Sequence, residues 1–209
     1  MKNGEEPWLK SGMQKGDIIL MSRPLGVGVF FAAQMQNINL KDSSEEIMRN
    51  LVTSQQPLIE KIYLLQDKFG ETFINAATDV TGYGFIGHLK EMIDSSNLSR
   101  QDNNLEPIRV LLDLLAFKAY PGVYDLIHKG IKSSLFESNK EIFDQIISEK
   151  RNNRIISFSK KNKVNSESFK ERISLLLDPQ TCGPLLISCD PKYENFLKNE
   201  WYKVGEVIN

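Results

Sequence analysis

The sequence predicts an α+β domain, a mixed sheet covered by helices, and three observations carry that reading. Short apolar runs suited to strands recur at Asp17–Met21, Ile74–Val80, Ile108–Leu112 and Lys203–Ile208. Segments with apolar residues at helical spacing lie between them. The alternation is irregular, unlike the even spacing of a doubly wound βαβ array.

Each element has its own signal. Residues 1–16 read as a linker leading inward, broken by Gly4 and Pro7 and anchored by Trp8. The run Asp17–Met21 enters a turn with Pro24, Gly26 and Gly28, and Phe30-Phe31-Ala32-Ala33 then begins a helical pattern. Ser43 and Glu46 fit a capping box for a helix carrying Ile47, Leu51, Leu58, Ile62 and Leu65. Pro57 predicts a kink or a division into two helices, and Gly70 a stop. After the strand Ile74–Val80, the residues Phe85, Ile86, Leu89, Met92 and Ile93 share one helical face. Residues 94–105 are polar and read as a loop. A helix is expected within Ala116–Gly130, another over Lys140–Ile147, and a helical turn over Pro191–Asn199. Leu175–Leu177 and Leu185–Ile187 are apolar runs, so the turn between them reads as a strand connector. The stretch Lys150–Lys163 holds six basic residues and no acidic one, and reads as a solvated loop.

Composition narrows the function classes. The 209 residues suit one large domain, 17–209, and 41% apolar content supports a packed core. A net charge of -1 argues against a general nucleic-acid or membrane-surface binder. The opening residues lack the apolar stretch of a signal peptide, and no apolar run has the roughly 18–20 residues of a membrane span. Cys182 and Cys189 have no histidine near them in sequence, so no zinc cluster is built from neighbours and a reducing, cytoplasmic setting is expected.

Three segments carry chemistry. Arg23-Pro24-Leu25-Gly26-Val27-Gly28 follows a strand; it is not a nucleotide-binding glycine loop of the Gly-Lys-Ser/Thr type, and a plain strand-to-helix turn explains it. In Thr78-Asp79-Val80-Thr81-Gly82-Tyr83-Gly84, a carboxylate ends an apolar strand beside a helix start. Two readings stand: Asp79 holds a magnesium ion carrying phosphates, or Asp79 or Thr81 caps the helix. His88 reads as a packed, hydrogen-bonded histidine. Asp178-Pro179-Gln180-Thr181-Cys182-Gly183-Pro184 is turn chemistry.

In this order, RPLGVGV, TDVTGYGFIGHL and LLLDPQTCGPLLI resemble the carboxy-terminal domain of selenophosphate synthetases (selenide, water dikinases), with its KPLG-type, TDVTGFGLLGHL and DPQTSGGLL segments. The resemblance covers about Gly16 to Val207, and Pro121-Gly122-Val123 fits as well. It implies the fold of the aminoimidazole ribonucleotide synthetase C-terminal domain. It implies a half that completes a Mg2+ and ATP site for the conversion of selenide, ATP and water to selenophosphate, AMP and phosphate. The nucleophile, the lysine and the glycine-rich loop belong to the family's amino-terminal domain, so no catalytic residue is expected here and the chain alone is expected to be inactive. By the match, Asp79 is the metal ligand, and Thr78, Thr81 and Gly82 shape the nucleotide corner. The implied partners are an N-terminal ATP-binding domain in cis or trans, the small molecules selenide and ATP, and in the full-length protein a second copy; neither nucleic acid nor membrane is implied. Arg23, Cys182 and Pro184 depart from the family's Lys, Ser and second Gly. Gly130-Ile131-Lys132-Ser133-Ser134-Leu135 departs from a Gly-Gly-Thr pattern and is closer to relatives fused behind an NAD(P)H/flavin oxidoreductase-like domain. Cys182 is read as a small, partly buried thiol. The competing readings are a non-catalytic binding or regulatory domain that retained the fold, and another enzyme of the same ATP-dependent superfamily.

Overall fold

The computed structural model describes residues 7–38, 44–150, 154–159 and 165–209. At its centre is β1 (Ile18–Met21), whose four apolar side chains are all buried. Successive strand residues point to opposite faces. Ile19 and Met21 therefore enter one core, and Ile18 and Leu20 enter the other. A strand buried on both faces shows no polar alternation, which is why this run was visible in the sequence.

The sheet has six strands in the order β2-β5-β1-β6-β3-β4. Here β2 is Ile74–Asp79, β3 Arg109–Leu112, β4 Ile156–Phe158, β5 Leu185–Cys189 and β6 Tyr202–Ile208. β1 pairs antiparallel with both β5 and β6, β2 with β5, and β3 with β6. β3 and β4 are parallel, so the sheet is mixed as expected. Parallel neighbours need a long crossover, and residues 113–155 supply it with α5 (Val123–His128) and α6 (Phe136–Ser148).

Helices cover both faces. The larger core lies under α1 (Val27–Met35), α4 (Gly84–Asp102), α5, α6 and α7 (Ser166–Leu177). The smaller one gathers Ile62 of α3 (Gln56–Phe69), Phe73, Ile187, Tyr193, Leu197 and Trp201. α2 (Ser44–Val52) and α3 are separate, with Pro57 in the first turn of α3, where its missing N–H does no harm. Gly70 ends α3 at φ 69°. The Ser43 cap lies outside the described residues.

Residues 7–16 run along the β2 edge. The Leu9 carbonyl accepts from Ala77 N–H, and Ser96 Oγ accepts from the N–H groups of Gly12 and Met13 at 3.1 and 3.2 Å. Trp8 stacks on Tyr63, but Met13, fully buried, is the deeper anchor.

Four expectations are corrected and one is located more closely. Residues 94–102 continue α4: their polarity marks solvent-facing turns, and buried Ser96 is satisfied by backbone donors. The helix expected within 116–130 is present as Val123–His128, and Gly122 at φ 77° sets its start. The expected 140–147 helix is longer, Phe136–Ser148. Leu175–Leu177 ends α7, so the segment after it joins a helix to a strand. The basic stretch contains β4, where buried Ile156 and its neighbours pair with β3.

Candidate functional site

β1 and β2 are both antiparallel to β5, so the ends of β1 and β2 lie beside the start of β5. The three sequence segments are the continuations of those strands. They meet at one end of the sheet, although about 100 residues separate the second segment from the third.

The first and third segments lock together. Helix α1 starts at Gly26 with no side-chain cap of its own, and the first N–H groups of any helix need partners. Gln180 Oε1 accepts from Gly26 and Val27 N–H at 3.2 and 3.3 Å, and Asp178 Oδ2 accepts from Gly28 N–H at 2.9 Å. A Cβ at Gly28 would lie 2.5 Å from Asp178 Oδ1, so only glycine permits this approach. Gln180 Nε2 closes the arrangement by donating to Asp178 Oδ2 at 3.0 Å. Asp178 is fully buried, and its Oδ1 accepts no hydrogen bond among the described residues. Burial pushes its carboxyl up to about 7, against the pull of the Val29 and Gly28 amides and the Gln180 side chain.

The second segment is held by the third. Val80 N–H donates to the Pro184 carbonyl at 2.9 Å, and Gln180 N–H to the Thr81 carbonyl at 3.0 Å. Asn139 of α6, nearly buried, donates from Nδ2 to the carbonyls of Gly82 and Leu177, both at 2.9 Å. Gly84 adopts φ 64°, and a Cβ there would meet the Leu177 and Leu176 carbonyls at 2.8 and 2.9 Å. The start of α4 therefore sits directly against the end of α7.

Within this frame the predicted site residues take different places. Asp79 is exposed at the end of β2, and its carboxylate accepts no hydrogen bond among the described residues. Thr78 is buried, on the opposite face of the strand, with Oγ1 donating to the Asp79 carbonyl at 3.3 Å. Thr81 and Gly82 are half-buried. The capping alternative is corrected: Tyr83 occupies the N-cap of α4, with no side-chain hydrogen bond there. His88 is buried and hydrogen-bonded, as expected. Its Nε2 faces Thr81 Oγ1 at 3.0 Å and its Nδ1 faces Glu91 Oε2 at 3.0 Å. Burial lowers its pKa against the opposing pull of Glu91.

The departing residues have structural partners. Arg23 donates to the Cys182 carbonyl at 3.3 Å and to the Thr53 carbonyl. Cys182 is exposed, with φ 48°, because it occupies the tip of the turn; the buried thiol is Cys189, pushed up to about 12 by burial. Pro184 is buried, and the N–H that follows it, Leu185, donates to Ser22 Oγ at 2.8 Å.

An exposed carboxylate with no hydrogen-bond partner among the described residues, as at Asp79, is an oxygen donor of the kind a divalent cation takes. Asp79 belongs to no cluster of three metal-ligating side chains among the described residues. The cluster that does exist, His128 with Glu167 and Glu171, lies at the end of α5 and the start of α7 and is mostly exposed, with His128 already hydrogen-bonded to Glu171 at 2.8 Å. Asp79 thus offers a single oxygen ligand of the kind magnesium takes, and further ligands would have to come from elsewhere. Sequence reasoning missed Asn139, Glu91 and the capping roles of Asp178 and Gln180. Glu91 was discoverable, since it follows His88 by three residues on a helix.

Residues 14–110 match the family model described as AIR synthase related protein, C-terminal domain. The match spans 97 of the 209 residues, and over that stretch the chain is similar to this family. The chain shares 27% identity over 210 residues with selenide, water dikinase from Shigella flexneri, covering 95% of this chain and 49% of that protein. With the selenide, water dikinase of Escherichia coli K12 it shares 27% over 193 residues, covering 90% and 44%, and with that of Pelobacter propionicus 25% over 182 residues, covering 87% and 43%. The chain thus spans about half the length of the curated relatives it matches. Among solved structures, hydrogenase maturation protein HypE superposes with TM-score 0.58 at 14% identity, covering 99% of this chain and 48% of that one. Thiamine-monophosphate kinase from Stenotrophomonas maltophilia K279a superposes with TM-score 0.56 at 14% identity, covering 97% and 50%. These likenesses establish the α+β fold. No helix among the described residues is long and apolar enough to cross a membrane.

Proposed function

We propose that this chain is the C-terminal half of a selenophosphate synthetase and supplies one wall of its Mg-ATP site. The observation that carries the reading is the unengaged Asp79 carboxylate, held at the sheet end where all three sequence segments interlock. The similarity to selenide, water dikinases supports the substrate class. Residues 1–16 would join this domain to the upstream half, which would bring the nucleophile and the remaining metal ligands.

Phosphoryl transfer asks for charge neutralisation and positioning more than for covalent chemistry. A bound magnesium ion would neutralise phosphate charge. Asp79 would hold that ion from one side, and Thr81 would add an oxygen. Gly82 leaves room for close approach, since only Leu135 Cδ1 comes near its missing Cβ, at 3.8 Å. Thr78, buried, would steady the strand end and not touch the nucleotide. None of these residues is a nucleophile, so the isolated chain is expected to turn over no ATP.

The test is Asp79→Asn in the complete polypeptide, assayed for selenophosphate from selenide and ATP. Loss of about 100-fold or more is expected, the scale for removing one preorganised electrostatic group. Unchanged activity would refute the metal assignment. Full activity of the isolated 209-residue chain would refute the half-site reading.

A further inference from the structure

A second set of metal-ligating side chains lies apart from Asp79, on the surface where α5 meets α7. His128 is the last residue of α5, and Glu167 and Glu171 stand one turn apart in the first half of α7. Residues four apart share a helix face, so both carboxylates can face the same imidazole. The two helices are held together by other groups. The Tyr124 ring, one turn before His128, has the Arg172 guanidinium over it at 5.4 Å. Arg172 Nη1 also donates to Tyr124 Oη at 3.3 Å and to the Leu114 carbonyl at 3.0 Å. Leu126 and Ile173, each two residues from a ligand, are buried in the larger core. The backbone carrying the three side chains is therefore set by packing, and the side chains themselves are left at the surface.

One donor atom from each residue (His128 Nδ1 and one oxygen from each carboxylate) lies within 4.8 Å of the other two. Nδ1 is 2.8 Å from Glu171 Oε1 and 3.9 Å from Glu167 Oε1. A tetrahedral zinc ion with bonds of about 2.0–2.1 Å sets its ligand atoms about 3.4 Å apart, between those two values. Seating the ion asks for shifts of roughly half an ångström, which small side-chain rotations supply at exposed His128 and Glu167.

The charges point to a cation as well. Carboxylates four apart on one helix repel, and Asp125 on α5 adds a third negative group acting on His128. Among the described residues, neither Glu167 nor Glu171 has a lysine or arginine within ion-pair distance; each faces His128. A ring nitrogen with two carboxylate oxygens is a zinc donor set, whereas magnesium and calcium take oxygen ligands. Three protein ligands leave a fourth tetrahedral position to water.

We propose that His128, Glu167 and Glu171 form a zinc site that ties the end of α5 to the start of α7. It shares no ligand with the Asp79 reading and involves no nucleotide, so either can fail without the other.

The test uses Zn2+ alone and the 209-residue chain, stripped of metal and carrying Cys182→Ser so that the exposed thiol does not compete. Titration calorimetry should show a single saturable Zn2+ site that millimolar Mg2+ does not displace. With zinc at about 100 times its dissociation constant, the unfolding midpoint should rise by about 5 °C or more. X-ray absorption at the zinc edge should show a nitrogen and oxygen shell at about 2.0–2.1 Å and no sulfur at about 2.3 Å. His128→Ala should abolish the thermal shift. Glu167→Gln and Glu171→Gln should each weaken binding about 10-fold or more, since even groups that only orient a metal ligand cost that much. Without metal, the midpoint of each variant should stay within about 2 °C of the parent, which separates loss of the site from loss of the fold. Equal zinc binding by His128→Ala, a sulfur shell, or displacement by Mg2+ would overturn the proposal. Absence of saturable binding would overturn it too, leaving the cluster a surface ion pair only.

Discussion

Asp178 gives a test of the interlock that needs no enzyme assay. Its carboxyl is raised from an ordinary 3.8 to about 7 by burial, which outweighs the amides that accompany it. An acid with a raised folded-state pKa binds a proton that the unfolded chain has already released. Below about 3.8 both states are protonated and Asp178 contributes no pH dependence. Between about 3.8 and about 7 the folded state holds the extra proton, so stability falls as pH rises. Above about 7 both states are ionised and the loss levels off. Each pH unit across that window corresponds to about 1.4 kcal/mol, so the full loss is roughly 4 kcal/mol. Asp178→Asn keeps an oxygen for the Gly28 N–H and removes the ionisation. The stability difference between variant and parent should therefore climb by roughly 4 kcal/mol between pH 4 and pH 8. Urea unfolding at intervals across that range, with the m-value constant, reads it. Comparing variant with parent at each pH cancels the other titrating groups. A difference flat to within about 0.5 kcal/mol would refute the argument and mean that the cap is hydrated or open.

Three further substitutions address the same frame. Asn139→Ala strands the Gly82 and Leu177 carbonyls and should destabilise by about 2–4 kcal/mol in urea unfolding, with hydrogen exchange rising first around residues 80–84. Two glycines should behave oppositely. A Cβ at Gly183 would lie 1.9 Å from the Val80 carbonyl oxygen, so Gly183→Ala forces backbone apart and should lower stability by about 3 kcal/mol. Gly82→Ala meets only ordinary contact and should stay within about 0.5 kcal/mol by thermal unfolding.

What the sequence conveyed depended on how local each determinant was. β1 and β2 were legible because burial writes itself into short apolar runs, and α3 because Pro57 and Gly70 mark its ends chemically. The polar half of α4 was not legible: periodicity reports which face is buried, and that face narrows after Ile93. Leu175–Leu177 is too short for periodicity to separate a helix end from a strand, and the following Asp-Pro favoured the wrong choice. β4 hid in a basic stretch because a three-residue edge strand needs only one fully buried side chain, Ile156. The site followed the same rule. Asp79 and its neighbours formed a contiguous segment and could be singled out. The roles of Asp178 and Gln180 could not, because the helix they cap lies about 150 residues away in sequence. Cys182 was expected to be partly buried by residue type, but a turn tip with positive φ places its side chain outward.

The interlock also decides what the departures from the family pattern mean. A proline in place of a second glycine would be damaging if the loop offered its amides to a ligand, because proline has none to offer. Here the loop's amides that have identified partners face inward: Gln180 N–H binds the Thr81 carbonyl and Leu185 N–H binds Ser22 Oγ. Position 184 contributes through its carbonyl, which accepts from Val80 N–H, and proline retains that group. Gly183, in contrast, packs against Val80 with no room for a Cβ, so the glycine that is kept is the one the packing requires. Arg23 likewise spends its guanidinium on the Thr53 and Cys182 carbonyls, bracing the same loop. The altered positions are therefore absorbed by the frame. Asp79, the exposed carboxylate that takes no part in this frame, lies in the segment whose sequence resembles the family pattern.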